Sequence, residues 1–189
     1  MRYLLSFVLL FFVANSFAQK KYSEKELAAM KQQLMTAVAS HAKDVQVMVD
    51  QIFSYSELGF QEKETFTYLT NTLSKNGFTV EKGISNVPTA WMAKWNYREG
   101  PVIALGSDVD CIPKASQYPG VAYHKPMVEG APGHGEGHNS GIPVIITAAL
   151  SLQEQMKKNN LGGTLVIWPG IAEELVASKA WYVRDGYFD

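Results

Sequence analysis

Gly130-Ala-Pro-Gly-His-Gly-Glu-Gly-His-Asn-Ser-Gly141 sets two imidazoles and a carboxylate, His134, Glu136 and His138, at alternate positions among glycines, and a long apolar segment begins just beyond Pro143. Glycine opens backbone conformations closed to other residues, so a short loop of this kind can aim several side chains at one point. Imidazole nitrogen with carboxylate oxygen is a ligand set suited to zinc and its neighbours. A second acidic element, Ala172-Glu173-Glu174, follows the apolar residues Leu165, Val166, Ile167 and Trp168. Taken singly, the first element also reads as a polar connector and the second as a solvated helix start. Their order, with a helix signal after one and a strand before the other, points to a hydrolytic metal site at the end of an α/β sheet.

Working outward, Gly106-Ser107-Asp108-Val109-Asp110 closes the apolar strand Val102 to Leu105 with acids at alternate positions, which puts both on one side of the strand end. They read either as groups beside a metal or as a solvated turn, and the apolar strand before them favours the former. Strands are also expected over Phe78 to Ile84, Thr89 to Tyr97 and Thr164 to Trp168. Helices are expected from Ser23 to about Ser54, from Glu62 to Lys75, from about Pro143 to Lys158 and from Glu173 to Arg184. The first carries an N-cap serine, acids in its first turn and an apolar stripe from Leu27 to Ile52. Pro143 near the start and Lys157-Lys158 at the end suit the third. Alternating helices and strands predict an α/β layered domain. His41, alone on its helix, reads as structural, and His124 lies in a loop rich in Pro, Gly and Tyr.

With 189 residues, 47% of them apolar, the chain can bury a sizeable core, and a net charge of −1 without basic runs excludes a nucleic-acid footprint. Residues 1–18 read as a secretory signal peptide: Arg2 leads, Leu4 to Val13 is apolar, and Ser16-Phe17-Ala18 is a small-x-small cleavage site. The alternative, a membrane anchor, needs a run of ~20 apolar residues, longer than this one. The mature chain, residues 19–189, is therefore expected in the periplasm or secreted, with no membrane association after cleavage. The single cysteine, Cys111, has apolar neighbours and reads as a buried thiol.

Laid out together, these motifs resemble the M20 metallopeptidase family, in particular its amidohydrolase branch of N-acyl-amino-acid and aminobenzoyl-glutamate hydrolases. Glu57-Leu58-Gly59-Phe60-Gln61-Glu62 is similar to that branch's opening signature, and Ser107-Asp108-Val109-Asp110-Cys111-Ile112-Pro113 to its acidic strand end. His134-Gly135-Glu136-Gly137-His138-Asn139 resembles its His-x-Cys-Gly-His-acid loop, and Ala172-Glu173-Glu174 its paired glutamates. The resemblance implies the N-terminal part of a helix-sheet-helix catalytic domain of zinc-peptidase type, with the further ligand histidines and the dimerising lid domain expected beyond this chain. It implies that His138 and Glu174 are metal ligands and that Glu173 is the general base, with Asp108, Asp110, His134 and Asn139 near the centre. Glu136 stands where the branch has a ligand cysteine, a hard carboxylate for a soft thiolate, which shifts metal preference. The implied cofactor is a divalent metal, zinc first, with manganese or cobalt as alternatives, and two ions in a complete enzyme. The implied partner is a small amide or peptide substrate, with weak or no turnover by this length of chain. The competing expectation is an exported protein that binds metal or ligand without turnover.

Overall fold

The computed structural model describes residues 22–176 and 178–189. The expected export segment lies outside them, and no described helix is long and apolar enough to cross a membrane.

Helix α1, Glu24–Ser40, starts at a reciprocal cap in which the Glu26 amide donates to Ser23 Oγ and the Ser23 amide to the Glu26 carboxylate. The single long helix expected here is in fact two. At His41 the backbone leaves helical geometry, its amide donates to Val38 rather than one residue further back, and α2, Ala42–Tyr55, begins. The Ser40 hydroxyl contributes by donating to the Ala37 carbonyl, 2.6 Å away. The His41 ring sits between Asp44 and Glu154, so the break is tied to the long helix α4, His138–Asn159.

Helix α3, Lys63–Lys75, is capped from a distance: the Glu57 carboxylate accepts from the amides of Glu64 and Thr65 at 2.8 and 2.9 Å. The four strands are β1, Thr79–Lys82; β2, Trp91–Tyr97; β3, Val102–Asp108; and β4, Gly163–Gly170. Ile84, expected to end the first strand, is buried instead at the start of a single turn, Ile84–Asn86.

The sheet order is β1-β2-β4-β3, antiparallel except for the pair β3 and β4. Strand β4 thus sits between two strands that are neighbours in sequence, and β3 forms an edge with Val102 and Ile103 exposed. Helix α4 packs on β3, β4, α1 and α2, and α3 on β1 and β2. Ile52, Leu69, Leu73, Trp91, Ile146 and Leu165 are fully or almost fully buried at the centre. Trp168 of β4 meets Tyr182 and Phe188 edge-on, which seats the final helix α5, Ser178–Arg184.

Two boundaries differ from expectation in ways that matter for the site. Helix α4 begins at His138, not at Pro143, so His138 and Asn139 belong to its first turn rather than to the loop. Pro143 therefore falls inside the helix, past its first turn, where it leaves the Asn139 carbonyl without its helical amide. The helix expected from Glu173 is a single turn, Glu173–Leu175, separated from α5 by Val176 in the left-handed region.

Candidate metal centre

The parallel pair registers Asp108 of β3 opposite Gly170 of β4, so the two strands leave the sheet side by side at their carboxyl ends. Val109-Asp110 continues one exit and Ile171-Ala172-Glu173-Glu174 the other. Asp110 is fully buried, and its two carboxylate oxygens accept from the amides of Glu173 and Glu174 at 3.1 and 3.2 Å. This capture is why the second segment turns rather than continuing as a helix.

The glycine loop closes the site from the third side. Gly137 adopts φ 81°, a conformation that a side chain would strain, and the turn it makes starts α4 with the His138 ring facing Asp110. His138 Nδ1 lies 2.9 Å from the Asp110 carbonyl and 3.6 Å from its carboxylate. A proton on Nδ1 is therefore donated to Asp110, which leaves Nε2 turned outward, 3.8 Å from Glu136 Oε2. Buried carbonyl or carboxylate partners of this kind fix the tautomer and orientation of a ligating histidine. Its hydrogen bond to Asp110 pushes the His138 pKa up to about 9. Burial pushes the Asp110 carboxyl upward, but the bonds from His138, Glu174 and Glu173 outweigh it and hold the group below its usual range.

Glu136, His138, Glu173 and Glu174 each offer one ligand atom, and these atoms all lie within 4.8 Å of one another. Ligands at 2.0–2.2 Å around a tetrahedral ion stand about 3.4 Å apart, so modest side-chain movement would complete such a shell. Desolvation, and then the nearby Glu136 carboxylate, raise the pKa of Glu174, as expected of acids crowded together without a cation. The donor set fits a divalent metal ion.

The other expected residues are not among the four donors. The Asp108 carboxylate pairs with Lys179 of α5, 2.8 Å away, and Lys179 also approaches Glu173 at 3.9 Å. His134 turns from the group: its Nε2 lies 3.1 Å from the Ile52 carbonyl, and burial lowers its pKa. Asn139 directs its amide to the Val49 carbonyl at 3.5 Å. Both tie the loop to α2 instead of facing the four donors. His124 is exposed, and Cys111 is buried with its thiol pushed up to about 12, chiefly by desolvation.

Sequence reasoning singled out neither Lys179 nor Glu62 as site residues. Glu62, the residue before α3, is fully buried; its carboxylate accepts from the Ala172 amide at 2.9 Å and from the Thr89 hydroxyl at 3.0 Å. Its only signal in the sequence is its place at the end of Glu57-Leu58-Gly59-Phe60-Gln61-Glu62.

No family model matches the chain. It is 32% identical over 142 residues to one of the subunits of the p-aminobenzoyl-glutamate hydrolase of Escherichia coli K12, an alignment covering 75% of this chain and 29% of that protein. It is 29% identical over 145 residues to N-acetyl-L-cysteine deacetylase of Bacillus subtilis, covering 73% of this chain and 32% of that one. Among solved structures, the B. subtilis protein YXEP, described as a dinuclear metal-binding peptidase from the M20 family, superposes with TM-score 0.64 at 22% identity, over 80% of this chain and 41% of its own. The chain spans about a third of the length of the curated relatives it matches. Its motifs thus stand in order on a fold shared with an M20-family peptidase, and its sequence is similar to about a third of a hydrolase subunit and of a deacetylase.

Proposed function

We propose that the chain carries the metal-binding and proton-transfer residues of an amidohydrolase that cleaves N-acyl amino acids or aminobenzoyl-glutamate-like amides. The observation that carries this reading is the convergence of Glu136, His138, Glu173 and Glu174 at the carboxyl ends of β3 and β4. Glu136, His138 and Glu174 would hold the ion. When bound, a divalent metal supplies a Lewis acid and makes water a better nucleophile at neutral pH. Asp110 holds the His138 ring in one orientation and fixes the amides of Glu173 and Glu174. Glu173 takes the proton from the attacking water and passes it to the departing amine, a role worth about 10²–10⁴-fold. Beside Glu174 opens a cleft of about 320 Å³ lined by Leu58, Gln61, Ile112, Pro113 and Leu175, which offers room for part of a small amide substrate.

Zinc is the proposed ion, with manganese or cobalt favoured more than in a cysteine-ligated site because Glu136 supplies a hard oxygen. A second ion is part of the proposal for the complete enzyme, as is export after cleavage at Ala18. Hydrolysis of N-acetyl amino acids and p-aminobenzoyl-glutamate, assayed with and without chelator and with E173Q, tests the reading. It expects chelator-sensitive turnover, strongest when the rest of an M20-like catalytic unit is present, and a loss of about 10²–10⁴-fold in E173Q. Turnover indifferent to both chelator and E173Q would overturn it.

A further inference from the structure

Two buried acids, not one, grip the turn that presents Glu173 and Glu174. Asp110 accepts the amides of those two residues, and Glu62, 110 positions earlier in the chain than Ala172, accepts the amide immediately before them. Ala172 is held at φ 51°, a left-handed conformation unusual for a residue with a Cβ. Strain of this kind persists where the surroundings over-determine it. Here the surroundings are the Glu62 carboxylate on its amide and Gly59 close against it: a Cβ at Gly59 would stand 2.9 Å from both Cα and Cβ of Ala172.

Among the described residues no Lys, Arg or His pairs with Glu62, and its partners are neutral donors: the Ala172 amide, the Thr89 hydroxyl and the nearby amides of Phe60 and Glu62 itself. A buried acid is costly unless its acceptors are used. It caps nothing, since Glu57 takes the first free amides of α3.

We infer that Glu62 is a positioning residue of the metal centre: it fixes the left-handed turn at Ala172 and so the direction from which Glu173 and Glu174 reach the ion. This rests on the metal-binding reading of the four donors. A change at Glu62 should therefore alter the geometry around a bound ion and not only the stability of the fold.

The test uses the full chain in four forms, wild type, E62Q, E62L and G59A, titrated with zinc by calorimetry and with cobalt by visible absorption. Glutamine keeps an acceptor for Ala172 and should restore nearly wild-type binding and spectrum. Leucine removes it and should weaken affinity about 10–100-fold, the range typical of residues that orient ligands, with a changed cobalt band. G59A, pressing on the same Ala172, should change the band likewise. Wild-type affinity and spectrum in E62L would overturn the inference. Hydrogen exchange of the metal-free proteins separates it from the metal reading. If wild type bound neither ion, that reading would fail, while exchange in E62L accelerated over residues 170–176 and not over β2 would still support the hold on the turn. Unchanged exchange there, or acceleration spread equally over the whole fold, would overturn it.

Discussion

The glycine loop before α4 and the turn Ala172–Val176 deliver acids to the same point and are held in opposite ways. The loop is fastened by its backbone, with Ile112 and Gly133 exchanging bonds of 3.1 Å, by His134 reaching back to α2, and by Asn139 doing so from the first turn of α4. Its Glu136 side chain is 62% exposed and adjustable. The turn is fastened through three consecutive amides by two fully buried carboxylates, Glu62 and Asp110. Glycine supplies reach where a donor can move; buried acids supply precision where two donors must not. Changes in the turn should therefore cost stability and metal binding together, whereas changes in the loop should alter the metal alone.

The largest effect is expected at Asp110. D110A strands the amides of Glu173 and Glu174 and removes the carboxylate beside His138, whose Nδ1 keeps the Asp110 carbonyl, and should cost about 3 kcal/mol in urea unfolding of the metal-free chain. Zinc binding should fall with it. A D110A protein as stable as wild type would erase the contrast between the two regions.

The pH dependence of His138 should be next. Its folded pKa of about 9 lies above the ordinary 6.5, so its pairing with Asp110 stabilises the metal-free fold fully below pH 6.5. That contribution is lost as pH rises through 9. A metal must displace the same proton, so zinc affinity should rise with pH up to about 9, with proton release visible as a dependence of the calorimetric heat on buffer. H138Q should abolish both trends.

E136A should change stability by no more than about 0.5 kcal/mol, the range of exposed substitutions, while weakening metal binding. E136C should sharpen the comparison by restoring a soft donor: preference should move from manganese toward zinc in competition titrations. The smallest effect should be at Cys111, whose buried thiol should stay unmodified by thiol reagents at pH 8 in the folded chain.

The sequence made the donors legible because their spacing is local. Gly137 beside His138 and an apolar strand before Glu173-Glu174 are short-range signals, and the structure brings these residues together. The strand cores were readable for the same reason, including Val102 to Leu105 and Thr164 to Trp168. What could not be read depends on packing between distant segments. His134 and Asn139 share the loop's motif, yet their direction is set by carbonyls of α2 more than 80 residues earlier. Asp108 and Asp110 alternate along one strand end, and only the placement of Lys179 on α5 separates an ion-paired acid from a buried one. The break at His41 interrupts a stripe that spacing alone continues smoothly, because local bonds from Ser40 and His41 compete with the helix there.

The strand order also governs when the site can exist. Strands β2 and β3 follow each other in the chain but never pair, since β4 is inserted between them after α4 has been traversed. Pairings such as Trp95 with Leu165 and Ile103 with Leu165 close long loops, which makes this the slow part of assembly. Asp110 and Glu62 find their amides only once β4 has entered that gap. Metal capture should thus trail sheet closure, and an ion added during refolding would act as a clock for the last step rather than as a seed for the first.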